Sequence, residues 1–292
     1  MRMFLKLAIL AAVVAAGVGL WVTMPDRVDA ARFASLSGDA AQGEVVFTAA
    51  GCASCHHAKD SDDKVNLTGG QEFVSDFGTF YAPNISPDPE TGIGDWDLES
   101  FANAVLRGVS PQGQHYYPAF PYTAYTKMTD EDLVDLWAYM QTLPASDVAS
   151  KPHDVGFPFN IRRSVGGWKF LFMSDAYVMD VPAELERGRY LVEALAHCAE
   201  CHTPRNAVGA LDTARWMGGA PNPSGRGTIP PLTPDELDWS AADVAYYLES
   251  GFTPSFDAVG GHMAAVVENF AKLSAEDRNA VAAYVKALPA LN

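Results

Sequence analysis

Cysteine is scarce in this sequence. Its 292 residues contain four, Cys52, Cys55, Cys198 and Cys201, all inside the pentapeptides "CASCH" and "CAECH". No cysteine is left for an unrelated bridge, so a disulfide framework is excluded. Basic charge is also thin: 20 Lys and Arg stand against 36 Asp and Glu, a formal net charge of −16. A field of that sign argues against nucleic acid as a partner. Strand patterns are sparse, and one long apolar run occurs, Leu7 to Val22.

What is present is 48% hydrophobic residues, enough for real cores in a chain with room for about two domains. The apolar run follows Arg2 and Lys6, the pattern of an export signal. Val28-Asp29-Ala30 offers a small-residue cleavage site, while the run approaches the ~20 residues of a spanning helix. We read residues 1–30 as a retained anchor with its two charges cytoplasmic and the globular part on the periplasmic side. The alternative is a cleaved signal and a soluble periplasmic protein. The acidity is uneven: residues 38–150 carry 4 Lys/Arg against 17 Asp/Glu, residues 181–292 carry 8 against 14. This steers a basic docking surface towards the first half.

The two CxxCH copies head a tandem repeat. After the first come "APNISPD", Trp96, Gly108, "KMTDED", Tyr139 and Pro144; after the second come "IPPLTPD", Trp239, Gly251, "KLSAED", Tyr284 and Pro289. Trp to Gly is 12 residues in both, Lys to Tyr 12 and Lys to Pro 17. An all-α fold follows: a first unit over 38–148, a connector over 149–180 and a second unit over 181–292, behind the N-terminal helix. Amphipathic stretches lead into each cysteine pair, with Gly43 and Gly188 where another helix can approach closely. Thr129 with Asp132, and Ser274 with Asp277, signal the start of each final helix. The aromatic-rich connector is expected to pack across both units, and the loop 57–80 to be irregular.

Cysteines at i and i+3 on one helical turn each add to a vinyl group of haem, and the following histidine then lies under the iron. A redox CxxC needs no histidine and sits in a βαβ context. A structural zinc site needs two close ligand pairs, and these lie 146 positions apart. Two covalently bound haem c groups are therefore expected, on Cys52, Cys55 and His56 and on Cys198, Cys201 and His202, with the histidines as proximal ligands. For the second iron the distal candidate is Met263, with His262 as rival and Met217 as a packing residue. For the first, the position nine before Lys127 is Pro118 and the nearest apolar residue is Phe120, which cannot bind iron. Met128 is the leading candidate there; His115, Met140 and an open iron remain as alternatives. Asn84, Trp96 and Trp239 are candidates for a haem edge and Arg205 for a propionate. His57, His153 and His197 are expected at the surface, in the connector and in packing.

These motifs, with "YPAFPYTAYTKMTDEDL", "CAECHTPRN" and "HMAAVVENF", resemble the di-haem class I c-type cytochromes, such as the cytochrome subunits of bacterial membrane-bound alcohol and gluconate dehydrogenases. The resemblance covers about residues 38–292. It departs where Phe120 fills a position that often holds methionine in that group, and no third CxxCH occurs in the sequence. It implies an electron carrier, free or as a subunit of such a complex, between a dehydrogenase or quinol-oxidising complex and a terminal acceptor such as an oxidase. The rival expectation is a di-haem enzyme acting on peroxide or a sulfur compound at an open first iron; no acid-base set accompanies either motif.

Overall fold

The structure, a computed structural model, describes residues 1–222 and 227–291. Helix α1 (Arg2–Val22) has a mean hydropathy of 2.3 and none of its apolar face is buried, so it is long and apolar enough to cross a membrane. The first unit follows with α2 (Ala40–Ala49), α3 (Cys52–His56), strands β1 (Glu72–Ser75) and β2 (Gly78–Tyr81), α4 (Leu98–Arg107), α5 (Tyr122–Tyr125) and α6 (Asp130–Met140). Helix α7 (Ser164–Phe172) lies in the connector. The second unit repeats the order: α8 (Glu186–Arg189) running on as a π-helical stretch (Tyr190–Leu195), α9 (Ala199–His202), β3 (Ala220–Pro221), β4 (Thr228–Ile229), α10 (Ala241–Ser250), α11 (His262–Phe270) and α12 (Ala275–Lys286). Both sheets among the described residues are two-stranded antiparallel hairpins. The fold is all-α, as the spacing predicts, although the loop expected to be irregular holds the β1–β2 hairpin, with Phe73 opposite Phe80.

The repeat is held by the same crossing in each unit. A Cβ on Gly43 would lie 2.0 Å from Asp135 O and 2.7 Å from Tyr139 Cβ; one on Gly188 would lie 2.1 Å from Ala280 O and 2.8 Å from Tyr284 Cβ. Glycine is thus the residue that lets the leading helix touch the backbone of the final one. The final helices begin as the capping pattern predicts: Thr129 Oγ1 accepts from Asp132 N at 3.2 Å, and Ser274 Oγ from Asp277 N at 3.0 Å. A single apolar cluster runs through both units, including Phe47, Leu106 and Leu133 of the first and Leu191, Phe270 and Tyr284 of the second. Each such fully buried side chain contributes about 1.5–3 kcal/mol.

The connector packs across both units. Trp168 Nε1 donates to Val208 O at 3.0 Å, Asp175 pairs with Arg107 at 2.8 Å, and the buried Glu193 accepts from Val178 N at 2.6 Å. The segment after α1 also belongs to the first unit: Val28 and Phe33 are buried, and Val28 N donates to Asn103 Oδ1 at 2.9 Å. Arg163 holds the end of α1 through Leu20 O (2.9 Å) and Thr23 Oγ1 (2.8 Å).

Candidate haem sites

Both histidines are aimed by the same device. His56 Nδ1 lies 2.9 Å from Pro83 O, and His202 Nδ1 lies 2.8 Å from Pro230 O. A carbonyl only accepts, so Nδ1 carries the proton and Nε2 keeps its lone pair for a metal. The backbone behind each ring matches too: Gly69 N donates to His56 O and Gly219 N to His202 O, both at 2.8 Å. Burial lowers the pKa of both rings, which favours the neutral, ligating form. Ile85, two residues past Pro83, and Leu232, two past Pro230, are part-exposed apolar side chains packed on the core. This is the surface a porphyrin needs beside its iron ligand.

Burial pushes the Cys52 thiol up to about 12, Cys55 up to about 11 and Cys198 up to about 12, and nearby Cys201 adds to the rise at Cys55. A redox-active CxxC has its thiolate stabilised instead. Among the described residues no three His, Cys, Asp or Glu side chains converge to hold a bare ion. Each motif offers one imidazole and two neutral thiols, which suits a covalently held haem.

On the distal side the two units share a backbone register. The bridges Val109–His115 and Phe252–Ala258 are equivalent, and Tyr116 N donates to Gly108 O as Val259 N does to Gly251 O, each at 2.7 Å. Met263 follows in the first turn of α11, half-buried and packed on the core. Met217 is a packing residue: Leu232 N donates to its carbonyl as Ile85 N does to Leu67 O, and both Met217 and Leu67 are 0% exposed. Met128 sits at the register of Leu273. Its amide donates to Tyr125 O at 2.8 Å as that of Leu273 does to Phe270 O at 3.1 Å, and its side chain is 2% exposed. Met140 is likewise 2% exposed within the core. His115 turns away, its Nε2 donating to Thr23 O at 3.1 Å.

The units meet at their haem-binding motifs, a relationship the sequence reading did not contain. Asn269 of α11 donates to Ser54 inside the first motif at 3.0 Å, and Thr123 of α5 donates to Glu200 inside the second at 3.1 Å. Tyr125 donates to Ala50 O at 2.8 Å and packs edge-on against His197 at 5.6 Å. Helices α5 and α11 are repeat counterparts, so each unit lays the same helix on the other's motif. Arg205 pairs with Glu200 and donates to Gly209 O, placing it on this junction. Asn84 points into the protein, donating to Ser146 O and Val148 O at 2.8 Å each, and so pins the turn that carries Pro83. Trp96 and Trp239 are part-exposed and packed on the core. His57 Nδ1 donates to Ala53 O, and His153 Nδ1 accepts from Tyr81 N at 3.1 Å.

Two helical units, each presenting a CxxCH whose histidine is pinned at Nδ1 and free at Nε2, define a c-type cytochrome with two haems. Residues 40–144 match the cytochrome c family, and residues 183–285 match the family of cbb3-type cytochrome c oxidase subunit III. The chain is 51% identical over 295 residues to a diheme cytochrome c-type protein of Cereibacter sphaeroides, covering all of both chains. It is 37% identical to the fructose dehydrogenase cytochrome subunit of Gluconobacter japonicus, over 85% of this chain and 52% of that one. It is 34% identical to the gluconate 2-dehydrogenase cytochrome c subunit of Pantoea cypripedii, over 88% and 63%. The chain therefore spans about half to two-thirds of those two dehydrogenase subunits. It belongs to the di-haem c-type cytochromes and holds two covalently bound haem c groups.

Proposed function

We propose that the protein carries electrons on the periplasmic face of the inner membrane, from a dehydrogenase or quinol-oxidising complex to a terminal acceptor such as an oxidase. The observation that carries this reading is the packing of the two CxxCH motifs against each other's unit, through Asn269–Ser54 and Thr123–Glu200. Haem c, when bound, supplies reversible one-electron transfer. The chain's own residues do the rest. Cys52, Cys55, Cys198 and Cys201 would fix the two groups, His56 and His202 would ligate the irons, and Met263 would ligate the second iron from the other side. Pro83 and Pro230 hold the imidazoles in one tautomer and orientation. Tyr125 and His197 fill the space between the motifs with packed protein.

Attachment to the membrane through α1 is part of this reading. Cleavage after Ala30 would remove Trp21, Thr23 and the buried Val28, which pack on or bond to Phe170, Arg163, His115 and Asn103. The net charge of −16 suits redox partners with basic docking surfaces. The reading is tested in membranes from cells with and without the protein, by following c-type absorbance after addition of sugar, alcohol or quinol. Substrate-driven reduction and oxygen-driven reoxidation of this protein's haems are expected. Haems that stay oxidised with every donor class overturn the reading.

A further inference from the structure

We infer that the iron of the first haem has no methionine on its distal side, and that the site beside Phe120 admits a neutral diatomic ligand. The internal repeat supplies the argument. Counted from the equivalent turn glycines, Phe120 stands 12 residues after Gly108 and Met263 stands 12 after Gly251. The turns that begin this count are superposable in their bonding, with the same bridge and the same 2.7 Å amide bond. Phe120 is therefore the residue that the first unit delivers where the second delivers its methionine. Like Met263, Phe120 is part-exposed and packed on the core. Its ring lies 5.9 Å from Tyr125, whose hydroxyl bonds Ala50 O two residues before Cys52, so Phe120 belongs to the neighbourhood of the first haem.

The other candidate ligands of this unit are committed elsewhere. A sulfur that takes an iron must lie on the wall of the crevice, whereas Met128 and Met140 are enclosed by protein at 2% exposure. His115 is 4% exposed and packed between the end of α1 and Gly166 of α7, with Nε2 donating to Thr23 O and Nδ1 buried there without a partner; His153 Nδ1 accepts from Tyr81 N, and Lys127 Nζ donates to Thr123 O. The expectation that Met128 ligates the first iron gives way to this packing, because Met128 fills the place of Leu273.

The surroundings of Phe120 select the ligand. Its ring meets Tyr116, Tyr122 and Tyr125 edge-on at 6.1, 6.2 and 5.9 Å. Tyr122 and Tyr125 already spend their hydroxyls on Tyr116 O and Ala50 O. With two of its three tyrosine hydroxyls so engaged, this mostly aromatic site offers little to stabilise an anion or a polarised oxygen ligand, and distal polarity decides between ligand binding and activation. Carbon monoxide is the fitting probe, and peroxide chemistry is disfavoured.

This inference rests on His56 as proximal ligand of a bound haem. The test uses the full-length protein with both haems, purified in detergent, reduced and titrated with carbon monoxide, with uptake read from the Soret band. One carbon monoxide per chain is expected. Phe120→Met should abolish uptake and add a second sulfur-to-iron charge-transfer band in the oxidised protein. Met128→Leu should leave both spectrum and uptake unchanged. No uptake by the unsubstituted protein, or a rise to two per chain in Met128→Leu, overturns the inference. Met263→Leu should raise uptake to two; uptake that stays at one there and persists in Phe120→Met places the bound ligand at the second haem and overturns the inference.

Discussion

Asn269, on α11 of the second unit, donates a hydrogen bond of 3.0 Å to Ser54, which lies between the two cysteines of the first unit's motif. The residues are 215 apart in sequence, and the bond fixes one haem-binding turn directly to α11, the helix that carries Met263, the methionine proposed for the other iron. Asn269→Ala should cost about 1 kcal/mol of stability, the net worth of one such bond. Denaturant unfolding of the haem-loaded protein measures this, and both haem spectra should stay as they were.

Asn84 holds the turn whose next residue back, Pro83, fixes His56. A hydrogen bond from Nδ1–H enriches the imidazole in electron density and favours the oxidised iron. Asn84→Ala loosens that turn, so the potential of the first haem should rise while that of the second stays put. A spectroelectrochemical titration resolves the two; equal shifts at both haems would rule out this local action.

Glu193 is 2% exposed and accepts from Val178 N (2.6 Å), Met179 N (3.3 Å) and Tyr284 OH (2.7 Å). Replacing it with leucine strands one buried and two part-buried donors, a fully buried one being worth about 1–3 kcal/mol when unpaired. Glu193→Leu should lower stability by about 3 kcal/mol or more. A shift in the guanidinium midpoint corresponding to less than about 1 kcal/mol would show that the connector does not depend on this carboxylate.

Lys169 donates to Gly108 O at 2.8 Å and lies over the Tyr122 ring at 4.4 Å, facing Asp26, Arg107 and His115. Burial pushes its pKa down to about 7; Arg107 acts in the same direction and Asp26 against it. Unfolding returns the amine to its ordinary pKa of about 10.4. From pH 7 upwards the unfolded chain holds a proton that the folded chain has released, so stability from this group rises with pH in that window and is lowest below it. Lys169→Met should flatten the dependence of Tm on pH between about 7 and 9. Identical slopes in the two proteins would assign the dependence to another group.

The duplication, the all-α fold, both CxxCH turns, the close crossings at Gly43 and Gly188 and the packed connector were legible in the sequence because each leaves a local mark at a fixed spacing. The π-helical stretch Tyr190–Leu195 left one as well: Gly43 to Cys52 is 9 residues and Gly188 to Cys198 is 10. A one-residue insertion between two fixed contacts is absorbed as a π turn. The carbonyls of Pro83 and Pro230 left none, since a backbone acceptor has no residue signature. Contacts between the motifs depend on how the units dock, which no local pattern records. Met128 stands in the sequence where the second unit has Leu273; what no local pattern records is that both side chains are buried, which is the observation the first-haem inference uses.

The most direct test of the central claim, that the two haem-binding motifs work as one intramolecular relay, is pulse reduction of the full-length protein with less than one electron per chain. On the inference above, the haems differ on their distal sides, so their absorbance changes can be followed separately. The account predicts that the electron redistributes between them at a rate independent of protein concentration. A rate that scales with concentration would mean exchange between molecules, and would contradict the relay.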